Sequence, residues 1–240
     1  MLVKTRAIVF RTHKYGETSL IAELYTEQKG LRKYVINGVR SAKAKTKANL
    51  LQGMTLLDVV AYEREDRDLN RIKEIRPAYV YETIPFDVRR GAIGLFMLEV
   101  VRKSIREREP NHPLFNFLYD RFVGLDATPH SITNYHLVFL IELSTYLGFL
   151  PAGRFSANLP VFDLQEGAFA PYPPEHPNYL IDDEAQGFNQ LLGIAAPQGH
   201  QLQISRPLRQ SLLDRLVRYY QLHLEGMGEV HAHQILREVF

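Results

Sequence analysis

Apolar and polar residues alternate at a spacing of two over the first 77 residues and follow a helical spacing over most of what comes after. The first part reads as five strands, at residues 2–10, 19–26, 31–39, 53–62 and 69–78, rich in β-branched and aromatic side chains. Lys14-Tyr15-Gly16-Glu17, Gln28-Lys29-Gly30 and a charged stretch at residues 63–68 mark turns between them. Five short strands in so little chain fit a small closed barrel. The OB-fold is the common five-stranded form, and an SH3-like barrel is the competing topology.

After Pro77 the periodicity changes. Helices are expected at residues 87–108, 113–125 and 131–147, the third opened by Ser131 as N-cap and closed by Gly148. Residues 149–181 hold Pro151, Pro160, Pro171, Pro173, Pro174 and Pro177 and form an irregular segment. It has room for one short hairpin, Val161 to Asp163 with Ala168 to Ala170, around Gly167. Helices resume at residues 182–192, 207–224 and 231–239. The expected class is α+β: an OB barrel at residues 1–78, then a helical domain at residues 79–240 interrupted at 149–181.

Charge changes the picture. A net +2 over 240 residues conceals +7 in residues 1–77 and −5 in the remainder, an asymmetry expected of a chain that meets nucleic acid or another anionic surface. From Lys29 to Gln52 there are seven bases and no acid. No cysteine is present, which excludes disulfides, thiolate nucleophiles and thiolate metal sites. No stretch reaches membrane-spanning length and the first residues lack a signal-peptide pattern, so a cytoplasmic, nucleoid-associated protein is expected.

Bases interleave with aromatics along the predicted barrel. The constellation includes Arg6, Phe10 and Tyr25, and the residues assigned to a nucleic-acid site are Arg11, Lys14, Tyr15, Arg32, Lys33, Tyr34, Arg40, Lys43, Lys45 and Lys47. Cations follow phosphates while rings offer stacking surfaces to unpaired bases. In the strand from Leu31, Lys33, Val35 and Asn37 share one face and Arg32, Tyr34 and Ile36 the other, so the pattern leaves the binding face open. The plainer reading of the run is a lysine-decorated edge that keeps a sheet soluble.

Other chemistry is poorly supported. His231-Ala-His233 places its imidazoles on different sides of a helix, which does not build a metal site. Asp182-Asp183-Glu184 stands where a helix begins and reads as dipole capping rather than acid–base catalysis. Phosphate-loop, Gly-x-Ser-x-Gly and His-Glu-x-x-His motifs are missing. The expectation is a binding protein without enzyme activity, metal or cofactor. An RNA-binding OB protein and a protein-interaction adaptor are the alternatives.

Several segments resemble the RecO family. Thr5-Arg-Ala-Ile-Val-Phe-Arg-Thr-His-Lys-Tyr-Gly-Glu-Thr-Ser-Leu20 is similar to its first strand and turn, and Leu24-Tyr-Thr-Glu-Gln-Lys-Gly30 to its Leu/Phe-Thr-x-x-x-Gly hairpin. Asn37-Gly-Val-Arg-Ser41 resembles its Gly-x-Arg-Ser loop, and Leu50-Leu-Gln-Gly-Met54 the strand that follows. Phe139-Leu-Ile-Glu-Leu-Ser-Thr-Tyr-Leu-Gly-Phe-Leu-Pro151 looks like the helix ending in Leu-Gly-Tyr-x-Pro, and residues 209–240 like the terminal helix pair. The resemblance implies a recombination mediator that binds single- and double-stranded DNA and anneals complementary strands. Together with RecR, such a protein helps load RecA onto strands coated by the single-strand binding protein SSB, whose acidic tail is a further partner.

Two departures accompany it. Many members carry a Cys-x-x-Cys zinc site where this chain reads Ala152-Gly-Arg-Phe-Ser-Ala-Asn-Leu159, so Phe155, Phe162 and Phe169 are expected to hold the hairpin instead. Leu137 and Val138 stand where some members have arginines suited to the SSB tail.

Overall fold

A computed structural model describes residues 1–39, 48–64, 67–194 and 196–240. The chain divides into two compact units, Met1–Phe86 with Ile105–Ala127, and Asp87–Ser104 with Thr128–Phe240.

The first unit contains strands β1 (Leu2–Tyr15), β2 (Ser19–Thr26), β3 (Gly30–Ile36), β4 (Leu56–Tyr62) and β5 (Leu69–Tyr79). They close into a barrel in the order β1-β2-β3-β5-β4, with β3 and β5 parallel and every other pair antiparallel. This is the OB arrangement expected from the strand count. Alternation directs Ala7, Val9, Ala22, Leu24, Tyr34, Ile36, Leu57, Val59 and Ala61 into one apolar core.

Helix α2 (His112–Ala127) completes this unit. The Phe10 and Tyr25 rings stack at 5.6 Å, and Tyr25 lies 6.0 Å from Phe115 of α2. Burial of each such aromatic contributes about 1.5–3 kcal/mol. Arg6 ties the same region together: its guanidinium donates to both carboxylate oxygens of Glu27 at 3.0 and 2.7 Å and to Asn116 at 2.7 Å. It also lies 5.3 Å from the Phe115 ring and 5.0 Å from Tyr119. Glu27 is held below the usual carboxylate range chiefly by this hydrogen bonding from Arg6.

The second unit contains α1 (Val88–Ser104), α3 (Tyr135–Leu147), strands β6 (Val161–Asp163), β7 (Ala168–Ala170) and β8 (Tyr179–Leu180), then α4 (Asp182–Leu192), α5 (Arg206–His223) and α6 (Ala232–Val239). Apolar α3 is buried over most of its length and stops at Gly148, which adopts φ 86°. Its N-cap is Asn134 rather than Ser131, whose hydroxyl instead bonds Thr133. The amide of Asn134 reaches the carbonyls of Gly199 and Leu202 at 3.2 and 3.0 Å, so tertiary bonding places the start of the helix later than the local cap signal does. His136, entirely enclosed in α3, has its pKa lowered to about 3 by burial and by Arg209 and stays neutral.

The hairpin forms at the expected residues around Gly167, and β8 adds a third strand beside β6. Phe162 packs 5.0 Å from Phe169 and 4.4 Å from Phe188, while Phe155 meets Phe169 at 6.4 Å. Glu184, one of the acids opening α4, pairs with Arg215 at 3.3 Å and accepts from the Ser211 hydroxyl. The start of α6 is capped from elsewhere: Glu99 accepts the backbone N–H of Ala232 at 2.7 Å and that of His231 at 3.0 and 3.1 Å.

Candidate nucleic-acid interface

Outward-facing residues of the barrel follow from strand register. In β1 an irregularity between Val9 and Arg11 inserts Phe10, after which Arg11, His13 and Tyr15 point away from the core. A bulge re-aims side chains by adding one residue to one strand. Arg11 then stands opposite Glu23 of β2, and Glu23 opposite Lys33 of β3. The next row runs from His13 to Ile21, Val35 and Arg71 across four strands. Directly opposed side chains lie about 4.5–5.5 Å apart at Cβ, so these residues share one continuous surface.

Within this surface Arg11 is exposed and ion-paired with Glu23, which places one acid between two bases. Lys33 is exposed beside them. Lys14 and Tyr15 stand exposed at the end of β1, where Gly16 begins the turn with φ 64°. Tyr15 is 50% exposed. Arg32 is half-buried, and its guanidinium donates to the carbonyls of Leu31 at 3.0 Å and Arg108 at 2.6 Å. Those bonds fix its head against the backbone of its own unit.

Tyr34 requires a correction. It is fully buried inside the barrel, its hydroxyl donating to Glu63, so its ring is closed to any base. Burial, with the Glu63 hydrogen bond, pushes the phenol well above its ordinary value. Glu63 also accepts from the Asn70 amide at 3.0 Å, which makes the trio a buried polar link across β3, β5 and the end of β4. Phe10 and Tyr25 likewise serve packing rather than stacking on a ligand. Arg40, Lys43, Lys45 and Lys47 lie outside the described residues.

Arg71 is the residue that the sequence reading missed. It sits in a strand where bases and acids alternate closely, and nothing in that pattern distinguishes it from its neighbours. Only the parallel pairing of β3 with β5 brings it beside Val35. Around the barrel, a shallow recess of about 480 Å³ is lined by Lys4, Arg6, Glu27, Asp58, Glu74 and Arg76. Three acids face three bases there, which gives a mixed surface rather than a basic one.

Comparison with known proteins agrees with this architecture. The family model described as recombination protein O N terminal matches residues 1–81, and that described as recombination protein O C terminal matches residues 85–229. A protein of Christiangramia forsetii named DNA repair protein RecO is 35% identical over 242 residues, covering 100% of both chains. One of the same name from Bacteroides fragilis is 35% identical over 247 residues, again covering 100% of each. A third, from Porphyromonas gingivalis, is 27% identical over 244 residues with the same coverage.

Proposed function

The chain belongs to the RecO family of DNA repair proteins, and from that premise we propose that it binds single- and double-stranded DNA and anneals complementary strands. The barrel, residues 1–78, is the DNA-binding domain in this reading, and the helical domain at residues 79–240 serves recruitment. RecR and SSB are its partners, and RecA loading onto SSB-coated strands is the outcome.

The observation that carries the proposal is the outward surface on which Arg11 and Lys33 flank Glu23 in one row and Arg71 stands in the next, with Lys14 and Tyr15 at its edge. Bases on such a surface neutralise phosphate backbones by charge, and no chemical step is required. Two complementary strands held there repel each other less, and their pairing supplies the free energy of annealing. The bases of the 40–47 segment extend the surface in this proposal.

Annealing of complementary oligonucleotides, with and without SSB across a salt series, tests it. If about six cations meet phosphates, log K for single strands falls with log salt at a slope of about −4 to −5. Reversing Arg11, Lys33 and Arg71 to Glu together is expected to weaken binding by more than about tenfold at low salt and flatten that slope. The same reversal of Lys43, Lys45 and Lys47 tests the loop. Unchanged affinity in both folded triple variants would place the contact elsewhere. Competition between DNA and RNA of equal length separates the RNA-binding alternative, and weak, non-saturating binding would favour an adaptor.

A further inference from the structure

We infer that Tyr62 is a base-stacking platform, with Arg71 as its phosphate partner, and that this pair gives the barrel a preference for unpaired strands. The inference rests on the nucleic-acid reading above. It adds a stacking residue, Tyr62, to the cations already assigned.

Tyr62 is the last residue of β4. Its neighbours Ala61 and Val59 are buried in the core, so strand alternation turns Tyr62 outward. The residue is 50% exposed and its ring meets no other ring among the described residues. Its register partner on one side is Leu2 of β1, itself 47% exposed, and on the other is Arg71 of β5. A half-exposed ring next to an exposed Leu presents a flat apolar face to solvent, which a nucleobase would cover.

Charge around the ring favours an anionic chain as occupant. The Arg71 guanidinium has no hydrogen bond or ion pair among the described residues, and the residue also pairs in register with Val35. Lys4 stands two residues along β1 from Leu2, and Lys33 two residues along β3 from Val35, each about 7 Å further on the same outer face. The described acids nearest the ring have other partners, and Glu23, opposite Lys33, pairs with Arg11. Glu63 holds Tyr34 and Asn70 inside the barrel, Asp68 pairs with Arg108, and Glu74 lies 3.8 Å from Lys73.

The ring is therefore flanked by the Arg71 guanidinium, which has no carboxylate partner among the described residues, with Lys4 and Lys33 further out on the same outer face. Phosphates require those cations, and an unpaired base supplies the face that stacks on Tyr. A duplex hides its base faces in its own stack, so it gains the charges and not the ring. The result is selectivity rather than affinity alone.

The chain has no Trp, so Tyr62→Trp introduces the one indole reporter. Titration with an oligo-dT strand, followed in parallel by anisotropy of a labelled strand, is expected to quench the indole in step with binding, and a duplex of equal length is expected to bind without comparable quenching. Tyr62→Ala should weaken single-strand binding by about five- to hundredfold and leave duplex binding within about twofold of the parent. Tyr62→Phe, which keeps the ring, should bind like the parent and guards against a folding defect in the Trp variant. Binding by anisotropy without quenching, or equal losses for both DNA forms in Tyr62→Ala, would overturn this site and leave the DNA-binding reading intact. Absence of DNA binding by the unsubstituted chain would overturn both.

Discussion

Asp126→Ala is expected to destabilise the barrel unit by about 3–5 kcal/mol. Asp126 lies near the end of α2 and is only 1% exposed. One carboxylate oxygen accepts from the Tyr79 hydroxyl at 3.0 Å and the Glu82 N–H at 2.9 Å. The other accepts from the Thr83 N–H at 2.8 Å, the Thr83 hydroxyl at 3.0 Å and the Ile84 N–H at 2.8 Å. A single side chain thus fixes the segment that leaves β5. Alanine would strand the buried Ile84 N–H and remove the part-buried bonds beside it, and a buried donor without a partner costs about 1–3 kcal/mol. Denaturation of the intact chain gives the total loss, and amide exchange at Glu82, Thr83 and Ile84 localises it. A loss under about 1 kcal/mol, with those amides still protected, would contradict the assignment.

The same carboxylate predicts a pH dependence. Burial by itself would raise its pKa, but the N–H groups of Glu82, Ile84 and Thr83, with the Thr83 hydroxyl, outweigh burial and hold it below the usual value. A carboxyl whose folded pKa is depressed contributes fully above its unfolded pKa of about 3.9 and loses that contribution as pH falls through the folded value. Stability should therefore decline below about pH 4, and Asp126→Asn should lose this share of the decline. An unchanged acid profile in Asp126→Asn would show that another group causes it.

Gly30→Ala is the second large effect expected, at about 2–4 kcal/mol. Gly30 opens β3 with φ +62°, and a Cβ there would stand 2.3 Å from the Glu109 carbonyl oxygen and 2.7 Å from its carbon. Those atoms are backbone and cannot swing aside. Gly16 has nearly the same torsion, φ +64°, but open space around it. Gly16→Ala should therefore carry only the left-handed penalty of about 1–2 kcal/mol. The difference between the two variants in urea denaturation isolates the close approach of residues 108–109. Equal losses would mean that this segment yields freely.

Much of this architecture is legible locally. The five strands follow period-two alternation, Gly16, Gly30 and Gly167 mark turns that need positive φ, and α4 begins at the acids that favour a helix start. Gly148 ends α3 as its position implies. Each of these depends on neighbours within a few residues.

Tyr34 and Arg71 show where such reading stops. Alternation divides β3 into two faces, yet both carry a base and an apolar residue, so neither declares itself the inner one. Closure of the barrel decides: Tyr34 enters the core because Ala22 and Asn70 stand opposite it in β2 and β5, and Lys33 is left outside. Phe10 and Tyr25 look like stacking rings until they stack on each other and α2, remote in sequence, sets Phe115 against Tyr25. Arg71 and Tyr62 become neighbours only through pairing of β4 with β5.

The sequence by itself therefore determined the five barrel strands, the order of the helices, the glycine turns and the basic bias of the first third of the chain, because periodicity, glycine torsion and charge are properties of a residue and its near neighbours. Tertiary structure alone decided which face of each strand is buried, which aromatics remain open and which cations stand together. Those outcomes depend on pairing and packing between residues far apart in the chain, where burial of apolar area and satisfaction of polar groups select one register over the other.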